Sequence, residues 1–290
     1  MSVAIWFETF CGNLKMSEQT VEDISYRYKR ITKQLNKDFY NSDSDTYHSF
    51  YVGSYGRGTD IHVSDIDMIF QLPYSTYERY NNYQGNGQSA LLQAVKSSIE
   101  NTYKSSMRAD GQVIVISFTD GITFELVPAF INKDDSFTFP DSNNGGSWKT
   151  TNPKPEIAEM NAKNQQWNRN LKRLCRMARA WKDYWAVPMG GLLIDTLAYN
   201  FLSTWGNRDK SYLYYDFMSR DFFEYLSEQN EKQDYWLSPG ARQYVWRRGS
   251  FEYKAKRCYN ISIEAIDKEK DYPNTAKSKW REIFGPKFPA

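Results

Sequence analysis

Asp65 and Asp67 stand two residues apart in Asp65-Ile66-Asp67, and the apolar run Met68-Ile69-Phe70 follows directly. On a strand, side chains two apart project from the same face, so both carboxylates are expected side by side. Two such anions repel unless a cation lies between them, and hard oxygen ligands favour Mg²⁺ or Mn²⁺. Upstream stands Gly53-Ser54-Tyr55-Gly56-Arg57-Gly58-Thr59, which ends six residues before Asp65. A glycine admits close backbone approach, and amide groups in the following turn, with the Ser54 hydroxyl, can cradle phosphate oxygens. A third carboxylate, Glu125, lies in Thr123-Phe124-Glu125-Leu126-Val127-Pro128, on a strand otherwise apolar enough to be internal. A phosphate-binding turn followed by three strand-borne carboxylates is the equipment of two-metal phosphoryl chemistry.

A cationic segment is the other candidate. Between Glu159 and Asp183 there is no acidic residue but there are seven basic ones: Lys163, Arg169, Lys172, Arg173, Arg176, Arg179 and Lys182. Lys172, Arg176 and Arg179 share one helix face and could neutralise a triphosphate. The alternative is a solvated helix surface. Met107-Arg108 and Arg247-Arg248 read as ordinary surface features.

The elements that would position these groups are legible from periodicity. Ser17 caps an expected helix to Phe39, with Ile24, Tyr28, Ile31 and Leu35 on one face. Ser89 to Lys104 is a second, with Leu91, Leu92, Val95 and Ile99 inward. Val113 to Thr119 and Ile122 to Val127 are strands joined at Asp120-Gly121, which suits a two-residue hairpin turn. Asp141 to Pro155, rich in Asn, Gly, Ser, Thr and Pro, is the expected linker. Beyond it the pattern is helical, with Leu171, Leu174, Cys175, Ala178, Trp181 and Trp185 in one stripe. The expected fold class is therefore α/β (α+β) in two lobes: residues 1–155 with a mixed sheet and helices, and residues 156–290 mainly helical.

Composition narrows the rest. The 290 residues carry 37 basic and 35 acidic side chains, a net charge of +2, which argues against a bulk polycation that coats nucleic acid. Aromatics make up 17%, enough large side chains for a real core. Three scattered cysteines and two histidines form no local zinc set and fit a reducing compartment. No apolar run approaches a membrane span, so a cytoplasmic location with no membrane partner is expected.

The pattern G-S-x-x-x-G-T, then D-x-D, then a carboxylate before a hydrophobic pair and Pro-Ala, resembles the cGAS/DncV-like nucleotidyltransferases (CD-NTases). These are relatives of oligoadenylate synthetase and the polymerase-β superfamily. The ending Trp280-Arg281-Glu282-Ile283-Phe284-Gly285 resembles the tail of bacterial members. The resemblance implies a two-lobed nucleotidyltransferase whose helical lobe completes a nucleotide cleft. Gly53 and Ser54 would grip the donor triphosphate, and Asp65 and Asp67 would bind two Mg²⁺ (or Mn²⁺) ions. Glu125 would complete the metal site where relatives carry Asp. Arg179, with Lys182 one turn away, stands where relatives place a phosphate-binding lysine two residues before a tryptophan. Gly190-Gly191 stands near the position of the relatives' Ser-Tyr pair, so that contact is unsupported.

The implied activity joins nucleoside triphosphates, ATP and/or GTP, into a cyclic di- or trinucleotide messenger for anti-phage (CBASS) signalling. A separate effector would receive the product, and a regulatory protein partner fits the same scheme. Zinc-dependent DNA sensing is not expected. The rival readings are a template-independent linear oligonucleotide synthase or RNA-terminal nucleotidyltransferase, and a catalytically dead nucleotide- or RNA-binding module.

Overall fold

A computed structural model describes residues 2–62 and 65–290. Their elements begin with α1 (Val3–Asn13), α2 (Glu18–Tyr40), β1 (Ser49–Tyr51), α3 (Gly53–Arg57) and β2 (Ile66–Gln71). Next come α4 (Tyr74–Asn81), α5 (Gly87–Glu100), β3 (Ser106–Asp110), β4 (Val113–Ser117), β5 (Thr123–Ile131), β6 (Phe137–Asp141) and β7 (Ser147–Thr151). The remainder is α6 (Pro153–Gln166), α7 (Asn170–Tyr184), α8 (Gly191–Thr204), α9 (Tyr215–Ser227), β8 (Tyr235–Leu237), β9 (Tyr244–Trp246), α10 (Glu252–Lys268) and α11 (Pro273–Phe284).

The chain divides into two compact units. One comprises Met16–Gly56 with His62–Pro153; the other comprises the residues up to Lys15, Arg57–Ile61 and Lys154–Ala290. The first holds a mixed sheet ordered β1-β2-β5-β4-β3, with β6 on β5 and β7 on β6. β2 and β5 run parallel, and the other pairings are antiparallel. Alternation sorts the faces. Ile66, Met68, Phe70, Ile114, Ile116, Phe124 and Leu126 are buried in one cluster with Ile24, Ile31 and Leu35 of α2 and Leu91, Val95 and Ile99 of α5. Ser17 caps α2 by accepting the Thr20 amide at 3.1 Å, as its residue type predicts.

The second unit is mainly helical, with the short hairpin β8–β9. Its core contains Leu171, Leu174, Cys175, Ala178 and Trp181 of α7 together with aromatic residues from both chain ends. Phe7 packs edge-on against Trp280 at 5.1 Å and Phe288 at 5.3 Å. That packing is why α1 joins the helical unit, although the sequence reading grouped residues 1–155. Residues 57–61 join it as well, for reasons that emerge at the candidate site.

Two local expectations are corrected. The loop between β4 and β5 is closed by the Phe118 amide on the Ile122 carbonyl at 2.9 Å, and positive φ falls on Gly121, not on Asp120. The turn is therefore longer than a two-residue one. The stretch expected as a linker from Asp141 to Pro155 carries the β6–β7 hairpin instead, with Phe137 opposite Thr151 and Asp141 opposite Ser147.

Candidate active site

Parallel pairing of β2 with β5 sets Asp67 directly opposite Glu125. Their sequence neighbours Ile66, Met68, Phe124 and Leu126 all face the hydrophobic core. Both carboxylates therefore project from the opposite face, on adjacent strands about 4.8 Å apart. Asp65 immediately precedes β2 and is exposed. Its negative charge reaches Glu125: burial first, and Asp65 second, push the Glu125 carboxyl above the ordinary glutamate range, while Arg108 pulls it down. Asp65 and Glu125 thus interact electrostatically.

Gly53 backs this pair. Val52 donates its amide to the Asp67 carbonyl at 2.9 Å, which brings the start of α3 against β2. Gly53 has φ +59°, and a Cβ there would land on Asp67 Oδ2 and within 2.5 Å of Asp67 Cγ. Only glycine accepts both the left-handed backbone and the contact. Ser54 follows at the first turn of α3. Among the described residues no three acidic, His or Cys side chains close into a ready-made metal cage. Asp67 and Glu125 offer hard oxygen donors, which suit Mg²⁺, an ion that takes one or two carboxylates and completes its octahedron with water and substrate phosphate.

The cationic helix α7 behaves differently from its sequence expectation. Arg179 is 7% exposed and fully engaged within the helical unit. Its Nε donates to the Thr59 carbonyl at 2.6 Å, and one Nη donates to both Asp195 oxygens at 2.8 Å. It also donates to the Gly191 carbonyl at 3.1 Å. A Cβ on Gly191 would come within 2.9 Å of Arg179 Nη1, so a side chain in that place would displace the guanidinium.

Asp195, 0% exposed, also accepts from Arg57 Nε and from Thr59 Oγ1, each at 2.9 Å. Glu156 faces Arg57 at 3.5 Å, so two arginines and two acids balance in one buried cluster. Arg176 donates to the Asp60 carbonyl at 3.2 Å, and Lys172 lies against Gly58. The basic face of α7 therefore grips residues 58–60, the second half of the glycine-rich motif. From sequence Arg179 is expected on a triphosphate; in the structure its donors face Thr59, Gly191 and Asp195. Lys182 pairs with its neighbour Asp183 at 3.0 Å and is partly exposed.

Two features escaped sequence reasoning. Asp195 reads as an unremarkable acid in Ile194-Asp195-Thr196, yet an acid inside an apolar helical run is itself a signal that a cation is buried beside it. Arg108 lies on β3 opposite Val115, and Val115 lies opposite Glu125. Its strand carried no apolar run, so only the register could have linked it to the carboxylates.

Comparison with known proteins places these observations in context. The sequence model of the Second Messenger Oligonucleotide or Dinucleotide Synthetase (SMODS) domain matches residues 1–164. A probable cyclic nucleotide synthase of Bacillus cereus (strain VD146) is 24% identical, with 82% of this chain and 81% of that protein covered. Among solved structures, the E. coli MS115-1 CdnC:HORMA-deltaN complex contains a chain that superposes with a TM-score of 0.73 at 13% identity, covering 99% of this chain and 98% of that one. The Vibrio cholerae di-nucleotide cyclase DncV superposes at 0.65 with 15% identity, covering 99% and 87%. At such identities the structural matches establish the fold.

Proposed function

The chain belongs to the SMODS family of cGAS/DncV-like nucleotidyltransferases, and on that premise we propose that it joins nucleoside triphosphates into a cyclic di- or trinucleotide messenger. The observation that carries the reading is the in-register pair Asp67 and Glu125, with the Gly53 backbone pressed on Asp67. Asp65, Asp67 and Glu125 would hold two Mg²⁺ or Mn²⁺ ions. Such ions, when bound, neutralise phosphoryl charge and make a hydroxyl a better nucleophile.

In this reading the turn at Gly53 and Ser54 holds the donor triphosphate, ATP or GTP. A ribose hydroxyl of the acceptor attacks the donor α-phosphorus, and the bond from that phosphorus to the pyrophosphate oxygen breaks. Glu125, whose burial raises its proton affinity, would accept the hydroxyl proton on a carboxylate oxygen. A second transfer within the linear product closes the ring. A separate effector then receives the messenger in an anti-phage response, and a regulatory protein partner is part of the same proposal. Arg179 contributes by holding the glycine-rich segment rather than by touching phosphate.

The test is incubation of purified protein with four α-labelled triphosphates and Mg²⁺ or Mn²⁺, beside the Asp65→Asn/Asp67→Asn variant. A phosphatase-resistant product absent from the variant is expected. Wholly phosphatase-sensitive label with pyrophosphate release would point to a linear synthase. Triphosphate binding with no pyrophosphate release would point to a binding module.

A further inference from the structure

The hairpin β8–β9 is apolar on both faces. Tyr235 pairs with Trp246, Trp236 with Val245 and Leu237 with Tyr244. Alternation therefore puts Trp236 and Val245 on one face and the other four residues on the opposite one. Trp236 and Val245 are buried in the core of the helical unit. An antiparallel pair with one face on a core normally carries polar side chains on the other. Here that outer face is Tyr235, Leu237, Tyr244 and Trp246, with Tyr244 and Trp246 each 61% exposed and Tyr235 41%. The rings gather rather than scatter: Tyr235 meets Tyr244 at 4.6 Å and Trp246 at 5.4 Å, both edge to face. A clustered apolar patch marks an interaction surface where single exposed apolar residues do not, and tyrosine and tryptophan concentrate at the centres of protein interfaces.

The charge around the patch selects the partner. Arg242 lies in the turn of the hairpin and Arg248 two residues beyond Trp246, and both are exposed. From Tyr235 to Arg257 the one acidic residue is Glu252, which is buried and paired with Arg247 at 2.6 Å. A second copy of the chain would bring the same cations face to face, so the rim disfavours it. Single-stranded nucleic acid also takes cations and aromatic rings, but it needs ring faces open to successive bases. Edge-to-face packing turns ring edges into ring faces here, and Leu237 adds aliphatic surface without a π-face. A net charge of +2 over the whole chain also lacks the footprint of a polyanion binder. An acidic protein segment with an apolar anchor matches both the patch and its rim.

We infer that the outer face of the β8–β9 hairpin docks an acidic protein segment. Its apolar or aromatic side chain packs on Tyr235, Tyr244 and Trp246, and its carboxylates face Arg242 and Arg248. The docking face belongs to the helical unit and stands whether or not the chain makes a messenger.

The probe is a fluorescein-labelled random copolymer of glutamate and tyrosine, titrated with the full chain and read by anisotropy, beside labelled polyglutamate and labelled polyuridylate. The copolymer should bind saturably and about 10-fold or more tighter than polyglutamate, the worth of burying one aromatic side chain. Trp246→Ala, and separately Tyr244→Ser, should weaken copolymer binding by about 10- to 100-fold with melting close to that of wild type. The double charge reversal Arg242→Glu/Arg248→Glu should weaken both acidic polypeptides by about 10-fold. Should Trp246→Ala fail to fold, Tyr244→Ser and the charge reversal carry the test. Equal binding of copolymer and polyglutamate, or copolymer binding unchanged in the folded variants, overturns the proposal. Polyuridylate bound more tightly than the copolymer, and through Trp246, overturns it in favour of a nucleic-acid face. A concentration-dependent dimer in light scattering that Trp246→Ala disperses overturns it in favour of a second copy.

Discussion

Replacing Gly53 by alanine tests whether the glycine-rich turn and the carboxylates form one device. Two costs follow from the structure. A non-glycine residue at φ +59° sits in the left-handed region at a cost of about 1–2 kcal/mol. At about 2–4 °C per kcal/mol for a chain of this size, melting should fall by about 2–8 °C. The second cost is local. The new Cβ meets Asp67 Oδ2, so the carboxylate must rotate off its position opposite Glu125. A misplacement of about 1 Å at a reacting centre is worth about 100-fold in rate. Initial rates of pyrophosphate release, read beside far-ultraviolet circular dichroism and a melting curve, should show a folded protein that has lost about 100-fold or more of its turnover. Gly12→Ala is the control: a Cβ there meets nothing within 4 Å in α1, and melting should hold or rise. A folded Gly53→Ala protein with turnover within about threefold of wild type would refute the idea that the turn positions Asp67.

Three further outcomes are expected. Arg179→Ala leaves Asp195 without one of its two arginines in a fully buried site, and the loss should be about 3–5 kcal/mol, read as a lower denaturation midpoint; an unchanged midpoint would return Arg179 to the surface role. Glu125→Gln keeps the shape of the site but removes an anion from the pair with Asp67. Its turnover should drop by about 100-fold with melting equal to or above that of wild type, and full turnover would remove Glu125 from the chemistry. Burial and the nearby charge of Asp216 push Glu269 up to about 8. The folded state therefore holds a proton that the unfolded chain has lost, and stability falls as pH rises from about 4.5 toward 8, then levels. Glu269→Gln removes that slope, so its melting advantage over wild type should grow from pH 5 to pH 8; a constant difference would contradict the shift.

Legibility followed the physical signal each segment carries. α2 and α5 present one apolar stripe to one face of a sheet, and a stripe is what periodicity detects. β2 and β5 were visible because a carboxylate inside an apolar strand has few bland explanations. By contrast α1 buries Trp6, Phe7, Phe10 and Cys11, and its partners lie at the far end of the chain, where no local pattern points. The β6–β7 hairpin hid for the opposite reason. β7 is largely exposed, so it lacks the inward residues that make alternation visible, and the Asn-Asn-Gly-Gly turn dominates its composition.

Arg179 is placed by contacts that composition cannot reveal. Seven cations on a stretch without acids invite the reading of an open anion site, but a cation's role depends on what opposes it in space. Asp195 is sixteen residues from Arg179, and Thr59 is 120 away; folding brings both to the guanidinium, which becomes a structural rivet. Arg108 lowers the proton affinity of Glu125, and that link runs through two registers rather than through sequence proximity. Charge along the sequence therefore marks an anion site only where folding leaves the cations unopposed.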